Sequence, residues 1–141
     1  MAAKHILACV DFCEYSTRAL EEIGEYARAN QSKVTLIHVC DPQGFIPPQA
    51  VLEPVSATDA KAHEAELAKL RSAHLAGLEV ELAVVQDHAP AKAICDYAEA
   101  HAVDLIVIGS HGRGGMERWL IGSVAERIVR HSPVNVYVVR R

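Results

Sequence analysis

Short apolar runs and amphipathic stretches take turns along this chain. His5-Ile6-Leu7-Ala8-Cys9-Val10 is almost wholly apolar and ends at Asp11, the pattern of a strand buried on both faces. Ala19, Leu20, Ile23, Tyr26 and Ala27 then recur at helical spacing, with Glu21, Glu22, Glu25 and Arg28 opposite. Val34 to Val39 reads as a second strand. A polar helix over Asp59 to His74 has only Leu67 and Leu70 as firm core positions. Val80, Leu82 and Val84 alternate with Glu79, Glu81 and Ala83, which predicts a strand with one partly exposed face, at an edge of the sheet. Pro90 is placed to open a helix carrying Ile94, Tyr97, Ala98 and His101 on one face. Leu105-Ile106-Val107-Ile108 is again purely apolar and therefore central. A last helix and the run Val134 to Val139 close the chain.

Five strands separated by helix-length segments predict a mostly parallel sheet with helices on both faces, one α/β domain over residues 1–141. The segment Asp41 to Ser56 breaks the rhythm. Its four prolines (Pro42, Pro47, Pro48, Pro54) and Gly44 exclude helix or central strand, and a loop this long suits a lid or partner contact.

Composition narrows the class. No apolar run reaches the roughly 20 residues of a membrane-spanning helix, and the N-terminus does not read as a signal peptide. Cys9, Cys13, Cys40 and Cys95 form no C-x-x-C pair and have no histidine at zinc-finger spacing, so thiols in a reducing cytoplasm are expected. The net charge of −4 argues against a nucleic-acid protein. From Ser110 onward, however, six arginines face two acids, leaving this end at +4 and the remainder at −8. A locally basic end suits a small anionic ligand, and ordinary solvated arginines explain it equally well.

The chemistry concentrates where β strands should end. The first and fourth runs, the purest apolar ones, are expected to be central neighbours, and ligands of open parallel sheets bind beyond the carboxyl ends of such strands. Asp11 closes one of them. Gly109-Ser110-His111-Gly112-Arg113-Gly114-Gly115 follows the other, a turn in which backbone N–H groups can approach a ligand closely. Gly122-Ser123-Val124-Ala125-Glu126 reads as a helix start with an S-x-x-E capping box between Ser123 and Glu126, and a helix start is an anion site. No G-K-[ST] or G-x-S-x-G motif is present. His63, His74 and His101 read as surface or half-buried helix residues rather than ligands, whereas His111 faces either phosphate or solvent.

The spacing Gly109-x-x-Gly112, nine residues, then Gly122-Ser123 resembles the ATP-binding signature of the universal stress protein family. The similarity extends through Asp104 to Gly115, through Gly122 to Arg127, and to Ile6-Leu7, Val10-Asp11, Glu14-Tyr15-Ser16 and Ala19-Leu20 at the other end. Cys13 stands where the family usually has serine, and His88 where glycine is common. The resemblance implies an open five-stranded parallel sheet in the order 3-2-1-4-5, of the Rossmann-like, adenine nucleotide α-hydrolase-like kind. It also implies a homodimer and a cytoplasmic stress-response role. By that resemblance Gly109 meets the ribose, Gly112 lies beside the phosphates, and Gly122, Ser123 and Val124 donate to phosphate oxygens. Val39 offers backbone groups to adenine, and Asp11 binds ribose or a phosphate-bound Mg2+ through water. Cys9, Val10, Ile108, His111 and Arg113 complete the candidate contact set.

The reading that follows is an ATP-binding regulator or sensor with little turnover, with ATP, ADP, AMP or a cyclic form left open as the bound nucleotide. The alternatives are a slow ATPase or autophosphorylating enzyme and an interaction dimer without nucleotide. No side chain stands out as a base for activating water. The apolar run Val134 to Val139, at an edge in the implied order, is expected to pair with its copy in a two-fold dimer, with a tetramer left open. No nucleic-acid or membrane partner is expected.

Overall fold

In the computed structural model, residues 2–12, 14–40, 57–110 and 121–140 are described, the side chains of 14–16 and 57–59 excepted. Strands and helices alternate strictly: β1 (His5–Cys9), α1 (Glu14–Asn30), β2 (Lys33–Cys40), α2 (Ala57–His74), β3 (Val80–Gln86), α3 (Pro90–Ala100), β4 (Leu105–Gly109), α4 (Ser123–His131) and β5 (Asn135–Val139). The five strands form one parallel sheet in the order β3-β2-β1-β4-β5. The two purest apolar runs are indeed neighbours, with Ile6 opposite Leu105 and Ala8 opposite Val107. β3, with its alternating pattern, lies at an edge. The proline- and glycine-bearing segment 41–56 and Cys13 lie outside the described residues.

Strand pleating divides the core into two layers. Ile6, Ala8, Val34 and Leu36 point to one face, where they meet Ala19, Leu20, Ile23 and Ala27 of α1 and Leu67 of α2. Leu7, Ile37, Ile106 and Ile108 point to the other, against Ile94 and Ala98 of α3 and Ala125 and Ile128 of α4. This is the expected doubly covered sheet, and it explains why β1 and β4 have no polar face to show. Tyr26 departs from the periodicity. The residue is 38% exposed, and its hydroxyl accepts the Ala3 N–H at 3.0 Å.

The order of connection places the site. β1 leads through α1 to β2 on one side, while β4 lies on its other side. The chain therefore reverses direction across the sheet between β1 and β4, and the crevice beyond their carboxyl ends is where the fold binds ligands.

Candidate functional site

Cys9, Val10 and Asp11 run out of β1 into this crevice, and Ile108 and Gly109 end β4 beside them. Val10 is buried, its N–H donating to the Ile37 carbonyl at 2.9 Å and its own carbonyl accepting from His38 Nδ1 at 2.7 Å. Asp11 is half-buried. Val39, near the end of β2, packs its side chain with the α3 and α4 layer.

Backbone hydrogen bonds join the start of α4 to the end of β4. Gly122 N–H donates to the Ser110 carbonyl at 2.7 Å, and Ser110 N–H donates to Val139 at 2.9 Å. The glycine turn and the helix start, 13 positions apart in sequence at Gly109 and Gly122, are thus brought to one place. The capping box read from the sequence does not form. Gly122, with φ −63° and ψ 152°, is the N-cap and carries no side-chain cap, while Ser123 is already the first helical residue. The reason lies in the Ser110 contact: it holds Gly122 in the extended geometry of a cap and shifts Ser123 one place into the helix. Glu126 turns away and pairs with Arg130 at 2.9 Å. Since the first intrahelical bond runs from Glu126 N–H to the Gly122 carbonyl, the amides of Ser123, Val124 and Ala125 precede the ladder. They carry the positive end of the helix dipole.

Among the described residues, this cradle has the chemistry of an anion site built on backbone. Donors are backbone amides, and the residue at the cap has no side chain to compete for them. Gly122 itself spends its N–H on Ser110, which leaves Ser123 and Val124 as the amide donors among the three residues named from the resemblance. His111, Gly112 and Arg113 lie outside the described residues. Cys9 is no nucleophile in waiting: burial first, and then nearby Cys95 and Asp11, push its thiol well above the ordinary range.

The chain matches the family described as "Universal stress protein family" over residues 2–140. It belongs to the universal stress protein family. Among relatives, Universal stress protein MJ0531 of Methanocaldococcus jannaschii is 30% identical over 98% of this chain and 82% of its own. A universal stress protein of Thermus aquaticus is 28% identical, covering 97% and 98%. Among solved structures, universal stress protein UspA from Lactobacillus plantarum superposes with a TM-score of 0.78 at 26% identity, covering 97% of each chain. Two more distant structures share the fold. One is a universal stress protein in complex with cAMP (TM-score 0.72, 23% identity, covering 99% of this chain and 98% of that one). The other is an Archaeoglobus fulgidus universal stress protein in complex with dAMP (0.69, 22%, covering 99% and 100%). In this universal stress protein no described helix is long and apolar enough to cross a membrane.

Proposed function

We propose that this universal stress protein binds ATP in the crevice between β1 and β4 and works as a cytoplasmic stress-response regulator or sensor with little turnover. One observation carries the reading: the 2.7 Å bond from Gly122 to Ser110 docks an uncapped helix start against the end of β4. Phosphates would rest on the Ser123 and Val124 amides, with the Ser123 hydroxyl, exposed at that start, adding a further bond. Gly109 would meet the ribose and Val39 the adenine edge, and Asp11 would hold a phosphate-bound Mg2+ through water. Gly112, and with it His111 and Arg113, completes the set in the segment beyond β4. That the same fold holds cAMP and dAMP in two other proteins is consistent with an adenine nucleotide here. ADP or AMP would use the same groups.

Little turnover follows from the donor set. Backbone amides that grip a phosphate hold ground state and transition state alike, and such uniform binding does not raise the rate. A two-fold dimer through β5 fits the surface. β5 is an edge strand with Tyr137 49% exposed, and beside it runs a groove of about 630 Å3 lined by residues such as Ile23, Tyr26, Leu105 and Tyr137.

Isothermal titration tests the nucleotide site. Wild-type protein is expected to bind ATP with a micromolar Kd, roughly −8 kcal/mol. Gly122→Val places two methyl groups over the helix start, at a φ of −63° that valine adopts without strain, and is expected to abolish binding in a folded protein. Unchanged affinity in Gly122→Val overturns the placement.

A further inference from the structure

A second group of chemistry-bearing side chains sits on the opposite face of the sheet from Val39. In β2 the even positions Val34 and Leu36 pack into the α1 and α2 layer, and the same alternation carries His38 and Cys40 to that face at the strand's end. There α2 brings in His63. One ring nitrogen of His38, one of His63 and the Cys40 sulfur all lie within 4.8 Å of one another. Cys40 is buried, and both histidines are half-buried.

We propose that His38, Cys40 and His63 form a binding site for a zinc-class divalent ion. Two imidazoles and a thiol are the donors that Zn2+ prefers and that Mg2+ and Ca2+, which take oxygen, do not. Bond lengths in a tetrahedral site put such donors about 3.3–3.6 Å apart, so from within 4.8 Å of one another they need to close by no more than about 1.5 Å. The tautomer of His38 is set for the task. A carbonyl can only accept, so the 2.7 Å contact to Val10 fixes a proton on Nδ1, and in the neutral ring the basic nitrogen is then Nε2. A ligating histidine is characteristically oriented in this way, its other nitrogen donating to a carbonyl.

Phe12 supplies the apolar wall. Its ring centroid lies 4.5 Å from that of His38 and stacks on His63 at 5.7 Å, the two histidines themselves being 4.7 Å apart. Phe12 holds φ +62°, a strained conformation for a bulky residue that persists where surrounding contacts enforce it. The pattern is more than an aromatic cluster, because stacking alone calls for neither a thiol within reach of both rings nor a fixed tautomer. Three protein donors leave a fourth position for water or an anion. The site lies one residue to either side of Val39, yet it needs no nucleotide.

Spectroscopic titration tests the site. Protein stripped of metal by chelator dialysis is titrated with Co2+ and then Zn2+, without nucleotide. The expected result is one equivalent bound, with a thiolate-to-cobalt charge-transfer band and the intense visible bands of four-coordinate cobalt, both erased by Zn2+ and untouched by Mg2+. Cys40→Ser is expected to lose the charge-transfer band. His63→Gln, a change at a half-buried helix position, is expected to weaken Zn2+ by more than the 10- to 100-fold typical of losing an outer-shell partner. Cys95→Ser and Gly122→Val should bind Zn2+ as the parent does, which separates this site from the nucleotide site. Circular dichroism confirms folding, and should Cys40→Ser fail to fold, His63→Gln decides alone. Six-coordinate cobalt without a charge-transfer band, or parental Zn2+ affinity in His63→Gln, overturns the proposal.

Discussion

At the end of the sheet where the strands begin, side chains close off the backbone. The Asp104 carboxylate accepts the Lys4 and His5 amides at 2.8 and 2.9 Å, the His5 ring meets Thr35 Oγ1 at 2.8 Å, and the Ser32 hydroxyl donates to Ala3 at 2.7 Å. At the end where β4 finishes and α4 starts, the joining bonds run from backbone to backbone, and the helix has no side-chain cap. A side chain that caps a helix occupies the same amides that an anion would use. The first end therefore suits stability, and the second, with no side-chain cap on α4, is the end where the proposed ligand would compete with no cap.

One substitution made at both ends should separate these roles. Gly122→Val is expected to lower ATP affinity at least a hundredfold, about 2.7 kcal/mol, with its urea midpoint close to wild type. Gly77, on the way into β3, has φ +81° with open space around it. Gly77→Val is therefore expected to cost about 1–3 kcal/mol of stability through backbone strain alone while leaving ATP affinity intact. If the two variants fail in the same assay, the contrast between the ends is wrong.

Asp104→Ala removes the acceptor of two backbone amides. The expected loss is about 1–2 kcal/mol in urea denaturation, again with parental ATP binding.

Cys9, at the carboxyl end of β1, carries a thiol raised above its ordinary value chiefly by burial. Above pH 9, roughly its unfolded value, the unfolded chain gives up this proton and the folded one keeps it, so stability falls as pH rises. Between pH 8 and 10 the wild type should lose about 1 kcal/mol more than Cys9→Ala in paired urea melts.

The smallest effect has the most diagnostic sign. Gly122→Ser installs the missing cap and should raise stability by a few tenths of a kcal/mol, while weakening ATP by competing for the α4 amides. A gain in both stability and affinity would mean that capping and ligand binding do not compete.

Much of this architecture is legible in the residue pattern. The unbroken apolar runs of β1 and β4 mark them as central because no polar face survives in a doubly covered strand, and the alternation in Val80 to Val84 marks an edge. Beyond the pairing of β1 with β4, which their unbroken apolar runs suggested, the order 3-2-1-4-5 and the role expected of Val39 came from the family resemblance, since periodicity does not rank the remaining strands. The helix start near Gly122 was legible, but its capping residue was not: Ser123 and Glu126 fit the capping box, and only the Ser110 carbonyl, docked from another strand, shifted the cap to Gly122. His63 is the half-buried helix residue the pattern suggested, but its approach to His38 and Cys40 was not legible, and His38-x-Cys40, two donors on one strand face, was the available signal for half of that cluster.

The sequence by itself determined the period of each element, the glycine-rich turn after β4 and the acid that follows β1, because these depend on neighbours a few positions away. Tertiary structure decided what converges. Ser110 meets Gly122 because β4 and β5 pair in parallel and α4 must return between them. His38, Cys40 and His63 meet because pleating turns two strand residues toward the helix that covers them. Both are consequences of how the layers pack, and the spacing of residues along the chain does not record them.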